Sequence, residues 1–145
     1  MSSELYFVRD FYESDYSGVL EVWNATDMGG AHRGDNLEVI KNTINNGGAL
    51  FVLTEKLSGK IIGTSWITND KRRLYLHHFG IHPQYQGKGL SHLLMEKTMD
   101  FARKSGLQIK LEVHKENLVA RKLYQKYGFN YLGDYDVFIV RKYDE

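Results

Sequence analysis

The residues of this 145-residue chain with the most definite chemistry run from Ile81 to Ser91, IHPQYQGKGLS. They carry an apolar strand through a His82-Pro83 turn and two glycines into the first turn of a strong helix. The first N–H groups of a helix lack backbone partners, and the aligned peptide dipoles place about half a positive charge there. Gly87 and Gly89 keep side-chain bulk off those groups, so a phosphate can rest on them. The spacing excludes two common phosphate binders. A P-loop needs G-x-x-x-x-G-K-S/T, yet Gly87-Lys88 is followed by Gly89. A dinucleotide fingerprint needs G-x-G-x-x-G, and His92 occupies its third glycine position. Other chemistry is carried by adjacent imidazoles, His77 and His78, which titrate nearest neutral pH, and by the phenol of Tyr124. On a regular strand His78 and His82 would lie about 13 Å apart, too far for one tetrahedral zinc ion. No metal is therefore expected.

Two segments together carry a family resemblance. The first is Gln86-x-x-Gly89-x-Ser91, and the second, from Asn117 to Phe129, reads N-x-x-A-x-x-L-Y-x-x-x-G-F. The first resembles the acetyl-CoA pyrophosphate loop of the GNAT-type N-acetyltransferases, R/Q-x-x-G-x-G/A, and the second resembles that family's other cofactor segment. Ser91 departs from the pattern, but it is small and adds only a hydroxyl. The resemblance implies transfer of an acetyl group from acetyl-CoA to a primary amine of a small molecule or peptide, by direct attack in a ternary complex without a metal. It implies cofactor contacts from Phe79, Ile81, Gln86, Gly87, Lys88, Gly89, Leu90, Ser91 and Asn117, with the backbone of Phe79 and Ile81 pairing the pantetheine arm like an added strand. Two other readings stay open: a non-catalytic acyl-CoA-binding or sensor domain, and an interaction module in which the glycines merely turn the chain.

The chemistry of such a transfer assigns roles. A lysine-like amine of pKa near 10.4 is neutral in only roughly one part in two thousand at pH 7, a handicap of about 4.6 kcal/mol, so some group must take its proton. His77 is the first candidate, with His78, Glu112 and His114 behind it; strand alternation should send the His77 and His78 rings to opposite faces. The backbone N–H of Phe79, at a bulge in its strand, would meet the oxyanion. Tyr124, on the family register, would protonate the departing thiolate. All these residues also fit plain structural roles, the histidines on a strand and the tyrosine in a core.

The elements that must position these groups follow from pattern. Tyr6–Arg9 reads as a strand, followed by a helix with Tyr16, Val19, Leu20 and Trp23 on one face and Ser14 as its cap. A second helix starts at Asp35, where Asp35 and Glu38 are spaced like a capping box. Thr26–Gly34, TDMGGAHRG, is either a connector or a loop on the acceptor side, and with Tyr75 and Trp66 it could line a pocket. Strands are expected over Ala49–Thr54, Ile61–Thr68 and Arg73–His82, and then a helix from the glycine loop to Gly106. A strand at Ile109–Val113, the Tyr124 helix, and a hairpin of Phe129–Gly133 with Val137–Arg141 complete the order. This matches a GNAT-type α/β (α+β) fold: about seven strands in a mixed, mostly antiparallel sheet, about four helices, and a splay between the fourth and fifth strands that admits cofactor.

Composition sets the outer bounds. The chain is expected to form one domain over residues 1–145, with a core burying about two-thirds of its unfolded surface. A net charge of +1 gives no drive toward nucleic acid or anionic membrane. There are no cysteines, which rules out disulfides and thiolate chemistry. No apolar stretch reaches membrane-span length, and a cytoplasmic protein is expected. The apolar last strand permits a homodimer.

Overall fold

The computed structural model describes residues 2–26 and 34–143, in two compact units, Met1–Glu112 and Val113–Glu145. The acceptor-loop reading of TDMGGAHRG falls largely on 27–33 and lies outside the described residues. The first unit runs α1 (Ser2–Leu5), β1 (Tyr6–Asp10), α2 (Tyr16–Ala25), α3 (Leu37–Asn45), β2 (Ala49–Glu55), β3 (Ile61–Asn69), β4 (Arg73–Leu76), β5 (Gly80–Ile81), α4 (Ser91–Ser105) and β6 (Gln108–Leu111). Its strands form one sheet in the order β1-β2-β3-β4-β6, with β5 also paired to β3. Every pair is antiparallel except β4 with β6.

Each sheet face has its own layer of helices. Trp66 points to one face, where it stacks on Trp23 of α2 at 5.3 Å, among Phe11, Val19, Ile40, Leu50 and Val52. On the other face α4 buries Leu90, Leu94, Met95, Thr98 and Ala102, a helical stripe. Thr98 Oγ1 meets Ser65 Oγ at 2.6 Å, pinning the helix to β3. Gly63 permits that approach: a Cβ there would come within 2.8 Å of Ile81 Cδ1 and 3.0 Å of Leu94 Cδ1.

Two helix starts differ from their expected caps. α2 is preceded by a short 3₁₀ turn, Glu13–Asp15, so Ser14 lies inside that turn and is not the cap; Asp15 takes the N-cap position. Asp15 is instead committed to Arg9, which donates to both carboxylate oxygens at 2.7 and 3.0 Å. At α3 the cap is Asn36, whose Oδ1 accepts the Val39 N–H. Asp35 pairs with His78 Nε2 at 2.9 Å.

The expected strand Arg73–His82 is interrupted. Leu76 pairs with Ile67 and Gly80 with Thr64, so residues 77–79 face only Ser65 and Trp66. One extra residue makes a bulge. A buried relay fixes it: the Trp23 Nε1–H donates to Thr64 Oγ1 at 3.0 Å, and the Thr64 hydroxyl donates to the His78 carbonyl at 2.9 Å.

The second unit contains α5 (Leu118–Lys126) and, among the described residues, no strand. The hairpin expected over Phe129–Gly133 and Val137–Arg141 does not form, so among the described residues the sheet has six strands where about seven are expected. A strand is stable only when its backbone groups find partners, and Val137, Phe138, Ile139 and Val140 remain 66–92% exposed. Among the described residues no helix is long and apolar enough to cross a membrane.

Thr64→Val tests the relay. It leaves the Trp23 N–H buried without its acceptor, and should cost about 1–3 kcal/mol in chemical denaturation. A loss near zero would show that the relay does not hold the bulge.

Candidate active site

The bulge, β5 and the glycine loop follow one another without interruption from 77 to 91. Pairing between β4 and β6 stops at Leu76 with Leu111, and β5 pairs only with β3. Among the described residues the β4–β6 pairing does not continue past Leu76 and Leu111. This is the end-on splay expected between those strands.

Past β5, Pro83–Tyr85 form a 3₁₀ turn, braced by Gln86 Nε2, which donates to the Ile81 carbonyl at 2.8 Å. Gln86 thus holds the loop to the strand. Gly87 and Gly89 have φ of +80° and +74°, the left-handed region that only glycine enters without strain. A Cβ on either would meet nothing within 4 Å, so the concave side of the loop is open. Leu90, at the N-cap of α4, supplies no side-chain acceptor to the helix start. A helix N-terminus left this way can take an anion from outside. Lys88 Nζ lies over the Tyr85 ring, 5.4 Å from its centroid, and adds a cation beside the loop.

The two imidazoles do not point to opposite faces. His77 follows the alternation of Tyr75, on which it stacks at 4.3 Å, and packs against Trp66 at 5.7 Å. The bulge turns His78 to the same face, at 5.1 Å from Trp66 and 4.8 Å from Trp23. The extra residue breaks the period of two. The rings then take different partners: His78 Nε2 faces Asp35, and His77 Nε2 shares a 2.7 Å hydrogen bond with Thr68 Oγ1. Desolvation, and then the neighbouring His78, push the His77 imidazole down to about 4, although solvent on its exposed edge screens part of that effect.

His77 opens onto a groove of about 270 Å³ shared with Thr68, Tyr75, Arg73 and Lys110. The Tyr75 hydroxyl lies well above the usual phenol range, through burial and then the Glu112 carboxylate. Trp66 is not a groove residue, because it is buried in the core. Its Nε1 has no hydrogen-bond partner among the described residues. The Asp35–His78 pair escaped the sequence reading: 43 residues separate its members, and a cap was the stronger local signal.

In the second unit Asn117 caps α5, its Oδ1 accepting the Ala120 N–H at 3.2 Å. Tyr124 lies two turns on, half-buried, with its ring edge-to-face on Phe129 at 5.7 Å. The Phe129 N–H donates to the Tyr124 carbonyl, so the G-F ending folds back on the helix. Burial pushes the Tyr124 phenol up to about 12.

A family model described as the acetyltransferase (GNAT) family matches residues 6–129. The chain belongs to the GNAT acetyltransferases. Solved GNAT-type structures share its fold. An acetyltransferase from Streptococcus agalactiae is 20% identical with a TM-score of 0.76, over 94% of this chain and 92% of that one. The ribosomal-protein-S18-alanine N-acetyltransferase from Escherichia coli is 21% identical with a TM-score of 0.72, over 87% and 78%. The yncA protein from Salmonella typhimurium, solved with its cofactor acetyl-CoA, is 19% identical with a TM-score of 0.74, over 87% and 80%. The GNAT match spans both segments that carried the resemblance, the glycine loop and the Asn117–Phe129 stretch.

His77 links the site to pH. Its ring takes up a proton near the ordinary 6.5 when unfolded but only near about 4 when folded. The unfolded state therefore binds more protons in that window, and stability is lost as pH falls through it. His77→Gln should flatten the fall in denaturation midpoint between pH 7 and pH 5. An identical fall in parent and variant would place the ring in an ordinary aqueous setting.

Proposed function

We propose that this GNAT chain is one cytoplasmic N-acetyltransferase domain that moves an acetyl group from acetyl-CoA to a primary amine of a small molecule or peptide, by direct attack in a ternary complex. The observation that carries the reading is the unbroken succession of bulge, short strand and glycine-lined helix start between 77 and 91. The acetyl-CoA bound to the Salmonella protein and the ribosomal-protein alanine N-acetylation in the name of the Escherichia coli one support it.

Acetyl-CoA supplies the activated acyl carbon and a thiolate leaving group. The chain supplies the rest. The N–H groups of Gly87, Lys88, Gly89, Leu90 and Ser91 receive the pyrophosphate, at a helix start that favours negative charge. Gln86 keeps the loop in place from behind, and Lys88 adds its charge. The backbone of Phe79 and Ile81 pairs the pantetheine amides, and the Phe79 N–H, which donates to the His77 carbonyl at 3.2 Å, is released to the acetyl carbonyl oxygen as negative charge develops there. Asn117 contacts the cofactor with the part of its amide that the cap leaves over.

Three changes must balance. The amine nitrogen bonds to the acetyl carbon, the carbon–sulfur bond breaks, and one proton leaves the amine while another reaches sulfur. His77 takes the first: it faces the groove, whereas Asp35 holds His78, and its lowered basicity keeps it neutral at working pH. A ring so weakly basic holds the proton only in passing, and Thr68 is positioned to relay it. Tyr124 gives the second. Moving a proton from a phenol near 12 to a thiolate whose conjugate acid is near 8.5 costs about 5 kcal/mol in a static comparison. The thiolate must therefore be poorly solvated where it forms.

Tyr124→Phe keeps the ring and its packing on Phe129 but deletes that proton. Turnover should fall by about 10²–10⁴, with acetyl-CoA affinity and Tm nearly unchanged. Parental turnover, measured where chemistry limits the rate, would end the general-acid role.

A further inference from the structure

Two strands present matched rows of side chains beside His77. Arg73, Tyr75 and His77 alternate along β4 and into the bulge, and Gln108, Lys110 and Glu112 alternate along β6 and just past its end. The parallel register sets Arg73 beside Gln108 and Tyr75 beside Lys110. Of these, Arg73, Tyr75, His77 and Lys110 line the groove onto which His77 opens, together with Thr68, Asp70 and Arg72.

Charge along the rows is graded. At the His77 end stands Glu112, whose carboxylate acts on both Tyr75 and His77. Farther along come Lys110, then Arg73 and Arg72. At about 3.3 Å per residue, Lys110 lies about 7 Å and Arg73 about 13 Å from His77 along the strand direction.

Two of these cations, Arg73 and Lys110, are not neutralised. Asp70 is already engaged: it accepts the Arg72 and Arg73 N–H groups at 2.8 and 2.7 Å and pairs with the Arg72 guanidinium at 3.3 Å. The Arg73 and then the Arg72 N–H hold its carboxyl below the usual range. Arg73 Nε reaches only the neutral Gln108 side chain, at 3.3 Å, and Lys110 Nζ lies over the Tyr75 ring at 5.8 Å. Neither forms an ion pair among the described residues.

We propose, resting on the acetyl-transfer reading, that the acceptor is bipolar: a primary amine whose other end is an anion, carboxylate or phosphate. The ammonium is drawn to the Glu112 end and loses its proton at His77, while the anion is held by Lys110 and Arg73. Tyr75, stacked on His77, stands between the two ends at the level of Lys110. With Glu112 beside His77 at one end, and Arg73 and Lys110 free of ion pairs at the other where Arg72 already engages Asp70, the arrangement selects by orientation, because a reversed ligand meets like charge at both ends.

The test uses straight-chain primary amines of two to eight methylenes ending in methyl, carboxylate or phosphate, with acetyl-CoA as donor. The carboxylate or phosphate members should exceed their methyl counterparts by about tenfold or more in kcat/KM, mainly through KM. Whichever anion leads identifies the natural group. Arg73→Gln and Lys110→Gln should each erase most of that preference, and Lys104→Gln, the same charge loss on α4, should keep it. Equal use of methyl-ended amines, or a preference untouched by both variants, overturns the proposal. Acetylation of no member would count against the transfer reading instead. The groove is then judged by nuclear magnetic resonance shifts of the Tyr75 and His77 rings as the same amines are added. Shifts from the anionic members alone, lost in Arg73→Gln and Lys110→Gln, support the bipolar site, and their absence overturns it.

Discussion

One surplus residue between Leu76 and Gly80 is the constraint on which the site depends. Three residues opposite two cannot keep a strand's alternation, so the chain bulges, and the bulge is not left to drift. Trp23 donates to Thr64, and Thr64 donates to the His78 carbonyl, both through buried groups of the core. Each hydrogen bond contributes only about 1 kcal/mol net, but leaving either donor buried and unpaired costs more. The relay therefore selects one position of the bulge. That position puts two imidazoles on one face, separates the strand from β6 beyond Leu111, and aims the chain into the glycine loop.

The two rings then divide by their partners. His78 is tied to Asp35, which ties the beginning of α3 to the bulge. His77 is left to Thr68, Tyr75 and the groove. The same bulge thus yields a clamp and a groove-facing imidazole from adjacent residues. Across the sheet the Ser65–Thr98 contact and the absence of a side chain at Gly63 seat α4, whose first turn follows the glycine loop.

How much of this was legible in the sequence depended on the range of the interaction. Local signals carried: the helix through Trp23, the strands through Ile67, the glycine loop and the Asn117 helix all lie where periodicity and turn chemistry put them. The bulge was expected near Phe79, but not its effect on His78, since the periodicity rule assumes unbroken pairing. Asp35 was misread as a cap because a neighbouring asparagine does that work, and its true partner lies far along the chain. The run from Val137 to Val140 has strand composition, yet composition cannot supply a partner for its backbone. Arg73 and Lys110 were invisible as a pair until the parallel register set their rows side by side.

The central claim is that backbone groups of the glycine loop hold the pyrophosphate of acetyl-CoA. Amide hydrogen exchange, read residue by residue with and without acetyl-CoA, tests it most directly. The account predicts slowed exchange concentrated at Gly87–Ser91 and along Phe79–Ile81, and little change along β1 and β2. Acetyl-CoA binding that leaves the Gly87–Ser91 amides exchanging at their free rate would contradict it.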